Sequence, residues 1–211
     1  MSIADLRRSY TLAGLRRAHL EANPVQQLQK WLQQAIDAEL LEPTAMTLAT
    51  VDQSGRPSAR VVLLKGLDER GFVFYTNYQS RKARELASNS NAALVFFWAE
   101  LERQTRVGGA VDRISREASE LYFQSRPRGH QLGAWVSAQS QVIPDRALLE
   151  ERLREFERKF PEAVPLPPTW GGYVLAPIEI EFWQGRPNRL HDRFRYTKQQ
   201  DGAWLIERLS P

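Results

Sequence analysis

The stretch "AMTLATVDQSGRPSARVVLLK" (45–65) holds two strand-like runs around one turn. Residues 45–51 and 58–65 are rich in β-branched and apolar side chains, and "DQSGRP" (52–57) between them concentrates turn formers. The pattern continues outward. "GLDERG" turns into a third strand, "FVFYTN" (72–77), and "AALVFFWA" (92–99) with "ERQTRVGGAVDRI" (102–114) reads as a hairpin-like pair. Strands so closely spaced, joined mostly by turns, predict an antiparallel sheet that closes into a barrel.

Helical signals flank this sheet. Asn23-Pro24 supplies an N-cap and a first-turn proline, and Val25, Leu28, Trp31, Leu32, Ala35 and Ile36 recur at helical spacing to about Leu41, with Pro43 as the stop. "SRKARELASN" (80–89) reads as a short helix. Ser115 caps another through about Gln124, and "SRPRGH" (125–130) breaks it. Residues 145–160 place Leu148, Leu149, Leu153, Phe156 and Phe160 on one helix face. After a proline-rich connection come three further strands, "YVLAPIEIEFW" (173–183), "RLHDRFRYTK" (189–198) and "AWLIERL" (203–209). The expectation is a polar arm (1–22) and one α+β, mainly β, domain (23–211), with a helical subregion at about 115–160 and the strands of 173–209 completing the barrel.

Composition narrows the function. The 211 residues are 42% hydrophobic and 26% charged, in the soluble globular range. With no cysteine, disulfides, thiolate metal sites and cysteine nucleophiles are excluded. "MSIADLRRSY" lacks the apolar core of a signal peptide, and the longest apolar run (92–99) is too short for a bilayer, so a soluble cytoplasmic protein without membrane partners is expected. The net charge of +4 is spread through interleaved acids and bases, which disfavours nucleic acid as a partner.

Three stretches concentrate cations. "RVVLLK" (60–65) puts Arg60 and Lys65 on opposite faces of a regular strand, which suits either plain charged strand ends or two separate anions. "YTNYQSRKARE" (75–85) leads from Thr76 into a helix whose first turn carries Arg81 and Lys82. Cations there oppose the helix dipole unless an anion such as phosphate sits among them. "RLHDRFRY" (189–196), read as a strand, puts Arg189, His191, Arg193 and Arg195 on one face. Tyr122 and Arg126 share a helix face, followed by Arg128, His130, Trp135, Gln139 and Ser140. No H-x-x-x-H or carboxylate–histidine spacing occurs, so no metal site is expected, and without G-x-S-x-G, P-loop or G-x-G-x-x-G the corresponding nucleophilic and nucleotide readings lapse. Cations, amides, hydroxyls and aromatic faces without a nucleophile suit a phosphorylated planar molecule and a cofactor that does the chemistry.

Together "RRSYTLAGLRR", "AMTLATVDQSGRPSARVVLLK", "FYTNYQSRKARELASN", "ERQTRV", "YFQSRPRGHQLGAWVSAQSQ", "WGGYVLAPIEIEFWQG" and "RLHDRFRY" resemble the pyridoxamine 5′-phosphate oxidase family, in order over nearly the whole chain. The resemblance implies a split β-barrel binding FMN at a homodimer interface. It also implies oxidation of pyridoxamine or pyridoxine 5′-phosphate by O₂ to pyridoxal 5′-phosphate, with hydrogen peroxide released, and ammonia from the amine. By matched position, it assigns FMN contacts to Arg60, Val61, Val62, Leu63, Leu64, Lys65, Tyr75, Thr76, Arg81, Lys82, Gln104, Gln139, Ser140, Trp183 and Arg193. Arg60, Arg81 and Lys82 would face its phosphate. Lys65, Tyr122 and Arg126 would hold the substrate phosphate. His130, where the family commonly has serine, can still donate a hydrogen bond there. Arg189 and His191, the catalytic candidates, would contact the substrate ring, and Arg7, Arg8, Ser9 and Tyr10 would close over it. Competing readings are a related FMN oxidase of the phenazine type and a non-catalytic flavin- or haem-binding split barrel.

Overall fold

The computed structural model describes residues 2–5 and 9–211, apart from the side chain of Ala4. Arg7 and Arg8 therefore lie outside the described residues. Helix α1 (Pro24–Asp37) starts as expected: the Asn23 side chain accepts from the Val25 N–H at 2.9 Å. It ends four residues before Leu41, because Glu39 turns left-handed (φ 52°) and Leu40 N–H reaches back to the Ala35 carbonyl at 3.1 Å.

Strands β1 (Ala45–Val51) and β2 (Pro57–Leu63) pair antiparallel from Ala45 opposite Leu63 to Val51 opposite Pro57. β2 stops short of Lys65. Leu64 N–H still bonds Thr44 of the β1 side, but Lys65 N–H bonds Val73, so the chain steps here into β3 (Gly66–Asp68) and β4 (Gly71–Asn77). With β5 (Asn91–Trp98), β6 (Arg103–Arg113) and β7 (Trp170–Gln184), the sheet runs β2-β1-β5-β6-β7-β4-β3, and residues 64–65 join its two ends.

β7 is where the barrel splits. One edge pairs with β6 along 173–184, with a register shift at Gly108/Gly109. The other serves β4 along 170–175 and β8 (Asp192–Lys198) along 179–184, and β9 (Trp204–Leu209) follows β8. Leu48, Phe72, Phe74, Phe96, Phe182 and Tyr196 fill the interior, which α1 closes with Leu28 and Trp31.

Helix α2 (Arg81–Ser88) is capped by Ser80 and α3 (Arg116–Ser125) by Ser115. "SRPRGH" does not end helical structure. It breaks it only at Arg126-Pro127, and α4 (Arg128–Val136) follows at once. Pro127 sits just before the first turn, where a missing N–H costs no helical bond. Helix α5 (Ala147–Lys159) turns its expected apolar face inward, yet Leu148, Leu149, Leu153 and Phe156 stay only half-buried. No helix among the described residues is long and apolar enough to cross a membrane.

One expectation needs correction. β8 begins at Asp192, so the four cations of "RLHDRFRY" do not share a strand face. Arg189 ends a tight turn (Pro187–Arg189) with positive φ at Asn188 and Arg189, and His191 precedes the strand. Arg193 and Arg195 do share a face. Neighbouring strands meet them with carboxylates: Arg193 donates to Glu181 at 2.8 Å, and Arg195 to Glu207 at 2.9 Å.

Candidate functional site

A cavity of about 760 Å³ opens between β2, β4, α2, α3 and α4. It brings together Val61, Val62, Leu63, Lys65, Tyr75, Thr76, Lys82, Tyr122, Arg126, His130 and Gln139. Leu64, of opposite parity to its neighbours, packs in the main core and offers the cavity no side chain.

The cavity has an aromatic wall. Tyr75 and Tyr122 stack at 3.8 Å between ring centroids, and Trp170 lies 5.4 Å from Tyr75 at an interplanar angle of 11°. Sequence reasoning missed Trp170. The glycines that follow it were the available signal: a Cβ on Gly172 would come within 2.4 Å of Ile114 and 2.8 Å of the Tyr75 ring, so glycine lets both pack against β7. Arg126 lies 4.6 Å over the Trp170 ring, and its buried Nη1 has no hydrogen-bond partner among the described residues. An unmet guanidinium donor beside a cavity suits an anion. Burial pushes the Arg126 pKa down and those of Tyr75 and Tyr122 up, so both phenols stay protonated donors at neutral pH.

At the α2 end, buried Lys82 donates from Nζ to Thr76 Oγ1 at 3.2 Å and Gln139 Oε1 at 3.3 Å. Burial, then the charge of Arg60, lowers its pKa. Ser140, at φ 72°, accepts from the Arg81 backbone N–H at 3.2 Å. The "AQS" segment thus seats on the same chain's helix start. Arg60 and Arg81 do not line the cavity; both bind Glu85, at 3.2 and 2.7 Å.

The remaining candidates form a second cluster. Gln104, Trp183 and Arg193 are register neighbours across β6, β7 and β8. The Trp183 ring lies 4.6 Å from His191 and 5.6 Å from Tyr10. His191 Nδ1 accepts from the Arg186 N–H at 3.1 Å, which leaves the proton of the neutral ring on Nε2. Burial, then Arg189 and Arg193, lowers its pKa. Ser9 and Arg189 are exposed. None of these residues lines the cavity. Trp170 at the cavity and Trp183 in the cluster are separated by a β7 contour on the order of 40 Å, at about 3.3 Å per residue.

Residues 32–160 match the family described as pyridoxamine 5′-phosphate oxidase, and residues 170–211 match its pyridoxine 5′-phosphate oxidase C-terminal dimerisation region. The chain belongs to the pyridoxamine 5′-phosphate oxidase family. It is an oxidoreductase of that family: the pyridoxine/pyridoxamine 5′-phosphate oxidase of Burkholderia mallei (strain SAVP1) is 58% identical over 212 residues, covering 100% of this chain and 99% of that one. The protein of the same name from Paraburkholderia phymatum is 57% identical over 210 residues, with the same coverage. Among solved structures, PhzG of Burkholderia lata 383, in complex with tetrahydrophenazine-1-carboxylic acid, superposes with a TM-score of 0.90 at 31% identity, covering 97% of this chain and 100% of that one. A pyridoxamine 5′-phosphate oxidase-related, FMN-binding protein of Nostoc punctiforme shares the fold, with a TM-score of 0.73 at 18% identity, covering 91% of this chain and 100% of that one. The split-barrel expectation therefore holds.

Proposed function

We propose that the protein oxidises pyridoxamine and pyridoxine 5′-phosphate to pyridoxal 5′-phosphate, with FMN as cofactor and O₂ as electron acceptor. Hydrogen peroxide is released, and ammonia from the amine substrate. The observation that carries this reading is the unpartnered Arg126 Nη1, buried beside the Tyr75–Tyr122–Trp170 stack in a cavity that Lys65 and His130 also line. Such a set holds a phosphate on an aromatic ring. The cavity fits FMN as well: Val61, Val62 and Leu63 offer an apolar wall, and Lys82, Thr76 and Gln139 form a polar end. Bound FMN supplies the redox chemistry, uptake of a hydride from substrate C4′ and delivery of the electrons to O₂.

The chain's own residues bind and orient. Lys65, Tyr122, Arg126 and His130 hold the substrate phosphate. His191 keeps its proton on Nε2, available to a polar group of the substrate ring. Gln104, Trp183 and Arg193 contact the flavin, and Tyr10 with Arg189 covers the ring. One copy holds these two groups apart, so the active form is a homodimer in which the second copy's cluster completes the cavity. The exposed Val61 and Phe97 support this, since Phe97 pairs in register with Gln104 and Val61 lines the cavity. So does the match of residues 170–211 to a dimerisation region.

The likeness to PhzG favours a second reading, an FMN oxidase acting on a reduced phenazine carboxylate, whose carboxylate would take the Arg126 position. Anaerobic titration of the purified yellow protein separates the two. Bleaching by pyridoxamine 5′-phosphate, followed by pyridoxal 5′-phosphate on admission of air, supports the first. Bleaching only by tetrahydrophenazine-1-carboxylic acid overturns it.

A further inference from the structure

Glu85 lies one helical turn after Arg81 on α2 and is 4% exposed. Four side chains converge on its carboxylate. Arg81 Nε donates to Oε1 at 2.7 Å, while Ser58 Oγ at 2.6 Å, Arg60 Nη2 at 3.2 Å and the Thr50 hydroxyl donate to Oε2. The donors come from β1, β2 and α2, so one carboxylate ties the helix start to two strands. Arg60 is further fixed by Nη1, which donates to the Leu48 carbonyl at 3.2 Å and to Thr50. Arg81 is 57% exposed, and its two Nη groups have no partner among the described residues.

Resting on the flavin reading above, we infer that Glu85 is a positioning residue for the cofactor phosphate. It clamps Arg60 and Arg81 into one cationic unit and leaves the Arg81 Nη groups to meet the anion. The electrostatics agree. Arg60, Arg81 and Lys82 against one carboxylate leave a net charge of about +2, which matches the roughly −2 of a phosphate monoester. Without Glu85, Arg60 of β2 would add to the two like charges in the first turn of a helix whose dipole already opposes them. An amide cannot replace the carboxylate. Guanidinium nitrogens only donate, and two of them sit on different oxygens, so a glutamine must turn its NH₂ toward one of the two arginines.

The test compares FMN with riboflavin, which lacks the phosphate, by flavin fluorescence titration of the full-length apoprotein. The ratio of the two affinities isolates the phosphate contribution. In Glu85→Gln the ratio should fall about tenfold while riboflavin affinity stays unchanged, as for loss of one charge-assisted hydrogen bond. Arg81→Lys keeps the charge but replaces the planar fork, whose Nε faces Glu85 while its Nη groups stay free, with a single ammonium, and it should show the same fall. Its exposed position lets it decide alone if Glu85→Gln does not fold. An unchanged or raised ratio in the folded variants overturns the inference, because Glu85 would then be a bystander or a competitor of the phosphate. A fall in both affinities together also overturns it, since that reports a structural role. A wild type that binds both flavins equally overturns the flavin reading itself, and the inference with it.

Discussion

The two ends of β7 handle positive charge in opposite ways. Near Trp170, Lys65 and Arg126 border a hollow, and the buried Arg126 Nη1 is left without a partner. Near Trp183, Arg193 and Arg195 are each held by carboxylates of adjacent strands, Glu181, Glu207 and, at 3.7 Å, Glu179. The first arrangement is ready for an anion from outside. In the second the charge is already met within the chain, and Arg195 serves to hold a sheet face in shape. Arginine content alone does not tell these uses apart; what distinguishes them is whether a carboxylate of an adjacent strand stands within reach.

The largest expected effect concerns Glu85, which combines both habits by being a buried carboxylate on α2, the helix that carries the cavity-lining Lys82. Burial opposes its charge, but hydrogen bonds from Ser58, Thr50, Arg81 and Arg60 outweigh this and hold its pKa at about 2, below the ordinary 4.5. A depressed folded-state pKa contributes stability that is fully present above about pH 4.5 and is lost as pH falls toward 2. The contribution is about 3 kcal/mol, from roughly 1.4 kcal/mol per pKa unit. Urea unfolding between pH 2 and 5 should show this slope in the wild type and a flatter one in Glu85→Gln. Equal slopes would remove Glu85 from the buried network.

Next comes the cationic helix start. Arg81→Ala together with Lys82→Ala should weaken FMN binding by about a hundredfold, each charged contact being worth roughly 1.5–3 kcal/mol with incomplete additivity. Unchanged affinity in a fluorescence titration would take both residues out of the site. At the substrate end, Arg126→Ala should lower kcat/KM for pyridoxine 5′-phosphate about thirtyfold with FMN retained, in keeping with one lost guanidinium contact. Normal steady-state kinetics would mean that the free donor answers to something other than substrate.

The smallest effect is expected at the neutralised end. Arg195→Ala breaks two partly exposed ion pairs, and such pairs contribute about 0–1 kcal/mol. Its melting temperature should fall by no more than about 2–4 °C in calorimetry, with FMN affinity unchanged. A loss of flavin in this variant would erase the contrast between the two ends.

Much of the fold is legible in local sequence. The strand from Ala45 to Val51, the turn after it and the caps at Asn23, Ser80 and Ser115 follow from interactions within a few residues, which composition and spacing record directly. The short helix after Pro127 was hidden because proline and glycine there look like breakers, although a proline before a first turn is harmless. The cavity residues were legible through resemblance, including the grouping of Lys65, Tyr122, Arg126 and His130, but the partners of Arg60, Arg81 and Arg193 were not. That Leu64 turns inward while Lys65 turns out, and that Arg189 leaves the strand before Arg193 enters it, depends on where pairing stops.

Spacing along the chain established the strands, the caps and the cationic stretches, because those signals are carried by neighbours in sequence. Only the folded sheet decided which cations stay available. Arg60 meets Glu85 across 25 positions, and Arg193 meets Glu181 across 12. Such partners are chosen by where α2 packs on the sheet and by the pairing of β8 with β7, and a one-residue shift in pairing would send a strand's side chains to the other face of the sheet.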